Sequence, residues 1–247
     1  MANENKAVNT AVAEKAKAPK AKMTREEILE VVVVVLLGLV TVLTAWASWI
    51  SSLHGGNQAT NYTKSNNLSA EGNSMWNQGV QDISSDMQLW DRINDLKIEY
   101  AFAEANEDED GMEKAEWKID QLLTDSASEE LMAAIEWADS QEEYASPFDM
   151  EGFADSYFVD ASDVLAEAQE ILEQGQKDNA AGDAYGLVSV IYSIVLFLLG
   201  ILSSFKSEKN KMALVIVSVL GIIFATIYMV TLPMPTGFSL GNFFQGN

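Results

Sequence analysis

The chain of 247 residues contains no cysteine. Disulfides therefore cannot staple any part of it, and thiol chemistry is excluded. It has one histidine, His54. A single imidazole makes neither a catalytic triad nor a zinc site, because both need convergent partners. No phosphate-cradling glycine loop, no G-x-S-x-G and no His/Cys metal spacing occurs in the sequence. The period-two alternation of a half-buried strand is missing as well. Three long stretches lack ionisable side chains altogether: residues 31–50, 185–205 and 212–232 hold no Asp, Glu, Lys, Arg or His.

Those three stretches carry the main structural expectation. At ~1.5 Å rise per residue, each makes a helix close to the ~30 Å hydrocarbon thickness of a bilayer. The expectation is an all-α integral membrane protein with one N-terminal span, a C-terminal two-span hairpin and an inserted acidic helical-bundle domain. The divisions are a basic, Ala-rich disordered tail at 1–27, spans at 28–52, 185–205 and 212–232, an acidic domain at 53–184, a turn at 206–211 and a tail at 233–247. The first run is too long for a signal-peptide core and no small-x-small cleavage site follows it, so it reads as an anchor. Thr24 and Glu27 have capping-box spacing and would start its helix.

Charge is partitioned around these runs. Residues 53–184 hold 31 acidic and six basic residues, a net of −25, in a chain whose formal charge is −22. Lys and Arg near span ends set orientation, and acidic residues count for little. Six Lys/Arg precede the first run, and Lys206, Lys209 and Lys211 lie between the second and third. This places the N-terminus and the 206–211 turn in the cytoplasm, with 53–184 and the C-terminus outside the plasma membrane. Trp46, Trp49, Tyr185 and Tyr228 would form the outer aromatic belt. Ser189 with Ser193, Gly200 with Ser204 and Gly221 with Ala225 give small-residue spacing for close helix packing. Thr41, Thr44, Ser48, Ser218 and Thr226 can bond to their own helix backbones. The absence of ionisable groups at membrane depth argues against secondary transport.

Within 53–184 the periodicity is helical. Trp76, Val80, Ile83, Met87 and Trp90 recur at three- and four-residue spacing, continued by Leu89, Ile93, Leu96 and Tyr100, and this stripe is expected to be buried. A second helix is expected over 112–123, and a third, capped by Ser126 or Ser128, ends before Pro147. An aromatic connector follows (Phe148, Met150, Phe153, Tyr157, Phe158), then a last helix with Val164, Ala168, Ile171 and Leu172.

The candidate sites are few. Asn106, Asp108, Asp110 and Gly111 match the first half of a calcium loop, which takes Asp/Asn oxygens at alternate positions and Gly at the sixth. Position twelve is Trp117 instead of the bidentate Glu, so a solvated acidic turn with a helix-ending glycine explains the same residues. Weak Ca²⁺ binding is the only cofactor considered. His54, beside Gly55-Gly56, would be an exposed residue in a flexible hinge or a pH-sensing group. Trp76 and Trp90 are candidates for core or partner contact. Asn61-Tyr62-Thr63 and Asn67-Leu68-Ser69 fit the N-glycosylation sequon. No acid pair is singled out for catalysis. Nucleic acid is excluded as a partner of so acidic a domain.

Residues 46–49 (Trp-Ala-Ser-Trp) and 57–67, with the cluster Tyr62-Thr-Lys64-Ser65, resemble the segment after the first span in a family of uncharacterised bacterial three-span membrane proteins (domain of unknown function 4337). The chain lacks the Trp that usually precedes that cluster, and its middle is more acidic. The resemblance implies the same span–helical middle–hairpin architecture and carries no activity or functional residue. The function expected is non-enzymatic: an interaction or scaffold subunit, oligomeric or bound to another envelope protein. The alternatives are an oligomeric cation channel with an acidic vestibule and a calcium- or pH-responsive sensor.

Overall fold

The computed structural model describes residues 24–238. Residues 1–23 of the expected tail at 1–27, and 239–247 of the expected tail at 233–247, lie outside the described residues, while Arg25 to Glu27 already belong to the first helix. Every regular element among the described residues is helical. The order is α1 (Arg25–Ala105), α2 (Glu109–Ser126), α3 (Glu129–Asp139), a 3-10 turn at Pro147–Asp149, the single turn α4 (Phe153–Ser156), α5 (Val159–Gly200) with a 3-10 extension at Ile201–Ser204, and α6 (Glu208–Thr231). The chain divides into two compact units, one made by the chain up to Leu53 and from Ala181 onward, the other by His54–Ala180.

The first unit contains three helices long and apolar enough to cross a membrane. Its entry is the expected capping box: Thr24 N–H donates to Glu27 Oε2 at 2.7 Å and Glu27 N–H to Thr24 Oγ1 at 3.3 Å. Val40, Ala47 and Ile50 of α1 are buried with Val188, Tyr192 and Val195 of α5 and Val215, Ile222 and Ala225 of α6. Hydroxyls link neighbouring helices: Ser51 Oγ donates to the Gly182 carbonyl at 2.8 Å, and Tyr192 and Thr226 hydroxyls lie 2.9 Å apart. Thr41, Thr44 and Thr226 bond back to their own helix, as expected. Two hydroxyls depart from that expectation. Ser48 reaches Ser189 on α5, and the buried Ser218 hydroxyl has no partner among the described residues. Gly221 is a close-approach site, since a Cβ there would lie 2.9 Å from Val195, whereas Gly200 faces open space.

In the second unit, α1 does not stop where the first apolar run ends. It continues through Gly55 and Gly56 without a hinge, for 81 residues in all. A mid-helix glycine costs about 1 kcal/mol relative to alanine, and packing of the flanking turns outweighs that sum. The last expected helix is likewise part of α5, which runs unbroken for 42 residues.

The buried face of α1 in this unit also differs from the expected stripe. Buried positions recur every seven residues at Ser65, Gly72, Gly79, Asp86 and Ile93, answered on α5 by Ala161, Ala168 and Gly175. A seven-residue repeat keeps one seam of each helix facing its neighbour. The contacts run antiparallel. Gly175 lies against Tyr62, Ser65 Oγ donates to the Ala168 carbonyl at 2.8 Å, Gly72 meets Leu165 and the Ala161 carbonyl, and Gly79 meets the Tyr157 carbonyl. Trp76, Val80 and Met87 stand about one position round the helix from this seam and are exposed. At Gly72, Gly79 and Gly175 the opposing Leu165, Tyr157 carbonyl and Tyr62 leave no room for a further side chain, so the large residues lap over the seam's edge. Trp76 stacks on Phe158 in this way, with ring centroids 4.4 Å apart.

Farther along, Leu89, Trp90 and Ile93 form a core with Leu131 of α3, flanked by Ile119, Leu122 and Ile135. Ser128 caps α3, its side chain accepting from Leu131 N–H at 2.9 Å. The aromatic connector folds into short turns in which Phe153 is buried between Phe148 and Tyr157.

The seam generates a contrast between glycines. A Cβ at position 79 would lie 2.5 Å from the Tyr157 carbonyl oxygen, while at position 56 it would meet nothing within 4 Å. Gly79→Ala is expected to destabilise the unit by about 1–3 kcal/mol through overpacking. Gly56→Ala is expected to stabilise it by about 0.5–1 kcal/mol. Thermal melts of the full-length variants at 222 nm check both, and a lower Tm for Gly56→Ala would show that the helix is broken there.

Candidate functional site

Two buried carboxylates organise the polar chemistry of the second unit, and both sit at or beside the seam. Asp178 follows Gly175 by one turn of α5 and is 2% exposed. Its Oδ1 lies 2.9 Å from His54 Nδ1, and its Oδ2 accepts from Asn61 Nδ2 at 3.2 Å and Gln174 Nε2 at 3.3 Å. His54 is itself 2% exposed. This corrects the expectation of an exposed interfacial histidine in a hinge: because α1 stays helical through Gly55 and Gly56, His54 is carried onto the face that meets α5. Asn61, the first residue of one sequon, lies within α1, and its Nδ2 donates to Asp178 Oδ2.

Asp86 takes a seam position where its neighbours one heptad away are Gly79 and Ile93, and it is 3% exposed. It accepts from the Tyr157 hydroxyl at 2.7 Å, from the Ser128 hydroxyl at 2.5 Å and from Ser128 N–H at 3.4 Å. All three contacts come from donors, the arrangement an acceptor-only carboxylate needs. Burial pushes the Tyr157 phenol well above its ordinary ionisation range, and the hydrogen bond to Asp86 acts in the same direction. The cluster therefore ties the start of α3 and the connector to α1. Ser128 serves as helix cap and as donor at once.

The acidic turn is used for chain reversal. Asp108 is the N-cap of α2, its Oδ1 accepting from Gly111 N–H at 3.1 Å, and Asn106 Nδ2 donates to the Phe102 carbonyl at 2.7 Å. The residue in the left-handed region is Glu107, with φ 53°, so the turn does not depend on a helix-ending glycine. Gly111 lies inside α2, where a Cβ would approach Asp108 Oδ2 to 2.6 Å. Asp110, in the first turn of α2, complements the positive end of the helix dipole. Among the described residues no group of three or more His, Cys, Asp or Glu is placed to hold a metal ion.

The two tryptophans separate. Trp90 belongs to the core, 6% exposed, with Lys97 Nζ 4.5 Å from its ring centroid. Trp76 is 43% exposed. Sequence reasoning missed two sets, Asp178 with His54, Asn61 and Gln174, and Asp86 with Ser128 and Tyr157. The available signal was the seven-residue spacing of small residues, which puts Asp86 in line with Gly72 and Gly79. Comparison with protein-family models, with curated proteins and with solved structures finds no match to this chain.

The Asp86 cluster predicts an alkaline transition. A phenol whose folded-state pKa is raised adds stability that is complete below its unfolded value of about 10 and is lost as pH rises beyond it. Tyr157→Phe is expected to cost about 1 kcal/mol at neutral pH and to flatten the loss of stability above pH ~10. Denaturant unfolding across that range, with phenolate absorbance at 295 nm, checks this. An unchanged alkaline slope would mean that Tyr157 titrates freely.

Proposed function

We propose that this chain is a non-enzymatic, membrane-anchored interaction or scaffold subunit, presenting its acidic helical unit outside the cytoplasmic membrane. Three helices of sufficient length and apolarity support the anchor. The distribution of Lys and Arg supports the orientation.

The observation that carries the interaction reading is an apolar face of α1 that stays exposed. Val80 and Met87 lie on it, and beyond the core level Ile98 is 68% and Phe102 72% exposed. At seven-, eleven- and four-residue intervals these residues fall on one side of the helix. Single exposed apolar residues are ordinary, but several large ones sharing one side of a helix, with Ser84 and Asp91 between them, mark a surface that gains by being covered. Both buried polar clusters, by contrast, have their contacts directed inward between helices. That is the pattern of a structural tie.

Topology is the first test. With no cysteine in the background, Ser126→Cys and Ser207→Cys can be labelled separately in intact cells with a membrane-impermeant maleimide. Labelling at 126 and protection at 207 are the expected result. The reverse pattern would move the acidic unit to the cytoplasm.

The interaction itself is tested by placing a photo-crosslinking amino acid at Val80 or Phe102 of the full-length chain in its native membrane. A discrete adduct is expected, and its mass separates a second copy from a different protein. Absence of any adduct at both positions would overturn the interaction reading.

A further inference from the structure

The outward sides of α2 and α3 enclose a groove of about 930 Å³ that no element of the described chain fills. Leu123, Ala127 and Ile135 supply half-buried apolar surface, and Met132, more exposed, extends it. Asp120, Glu129, Glu136 and Asp139 also line it, all four exposed, and no Lys or Arg does. The opposite face of α3 is committed to the core through Leu131 and Ala134, both fully buried. Leu123, Ala127 and Ile135 also pack against that core and so form the floor of the groove, while Met132, Glu136 and Asp139 of α3 face outward along it.

Among the described residues no ion pair joins Asp120, Glu129, Glu136 or Asp139 to a cation: Lys64 pairs with Glu167 and Lys118 with Glu99, and Lys97 lies over the Trp90 ring. Ser128, the polar group between the two helices, is engaged by Asp86 and by the cap of α3. What remains is an apolar strip with uncompensated carboxylates along it.

We propose that this groove docks a lysine- or arginine-rich amphipathic helix of a partner protein. The proposal rests on the interaction-subunit reading above and specifies the partner's chemistry. An amphipathic helix laid in a groove seats residues at i, i+3/i+4 and i+7 on apolar surface, here Leu123, Met132 and Ile135. Cations flanking that row on the incoming helix would meet Asp120, Glu136 and Asp139. Charge complementarity selects the occupant. A second copy of the chain would bring a domain of net charge −25 against the same rim. Anionic lipid and nucleic acid are repelled for the same reason.

The test uses the full-length protein in nanodiscs of zwitterionic lipid and a fluorescein-labelled peptide of about 18 residues, five helical turns. The peptide contains only leucine and lysine, with the leucines on one helical face. A control of identical composition has its leucines scattered round the helix. Anisotropy at about 0.15 M salt, where long-range attraction is screened, is expected to show saturable binding at least about tenfold tighter for the amphipathic peptide.

The double variant Glu136→Lys/Asp139→Lys should weaken that binding about tenfold, and Met132→Ser several-fold. The exposed pair Glu142→Lys/Glu143→Lys, outside the groove, should change it less than about twofold. Circular dichroism melts establish that each variant is folded. Equal affinity for both peptides, or equal loss from the two charge reversals, would reduce the effect to net charge and overturn the proposal. Absence of binding would overturn it too. If crosslinking at Val80 or Phe102 still captures a partner, the groove assignment alone falls and the interaction reading stands.

Discussion

Close approach of two helix backbones is the constraint on which the second unit depends. Gly72, Gly79 and Gly175 each stand where a Cβ would intrude on the opposing chain, at 2.5–2.7 Å. Small residues bury little apolar area of their own, so the stabilisation comes from dispersion between tightly apposed backbones and from large side chains folded over the edge. Trp76 on Phe158 is one such overlap. The larger hydrophobic core appears only where α2 and α3 join, around Leu89, Trp90, Ile93 and Leu131. The unit is thus a tight pair of helices over much of its length and a conventional packed core at one level.

Solvation explains most of the acidic residues. Of 31 carboxylates in 53–184, few make an ion pair, and the pairs of Lys64 and Lys118 are largely exposed. Exposed pairs of that kind contribute little to stability. Several acids sit in first turns, such as Glu109 and Asp110 of α2 and Glu129 and Glu130 of α3, where the helix dipole favours them. The rest keep the surface hydrated and set the sign of anything that approaches. Asp86 and Asp178 are the exceptions, taken out of water and surrounded by donors.

The sequence was legible where a signal is carried by chemistry that scores as strongly apolar or strongly capping. The three apolar runs, the Thr24–Glu27 box, the Ser128 cap and the stop before Pro147 are of this kind. Gly55-Gly56 misled because propensity is local, while the helix there is held by packing on either side. The Trp76–Met87 stripe misled for a related reason: large apolar residues were expected to mark the buried face, but a seam this narrow is marked by the smallest residues. His54 and Asp178 are 124 positions apart, and nothing local to either shows that they meet. The Tyr62-Thr-Lys64-Ser65 cluster, by contrast, lies on the contact itself. Tyr62 packs on Gly175, Lys64 pairs with Glu167, and Ser65 bonds to the Ala168 carbonyl.

A seam in which small residues recur every seven positions, as at Ser65, Gly72 and Gly79 against Ala161, Ala168 and Gly175, has a hidden ambiguity. Sliding α5 along α1 by one heptad would set glycine and alanine against glycine again, and the steric fit would hardly notice. The buried carboxylates remove that degeneracy. One heptad of slip would carry Asp178 away from His54 and Asn61, and would separate Tyr157 from Asp86, stranding charge inside the protein near both ends of the seam. Single polar residues fix the alignment of coiled helices in this way at some cost in stability. Asp178 therefore acts as the graduation mark of a ruler between α1 and α5, and Asp86 sets a second mark between α1 and the connector that leads into α5.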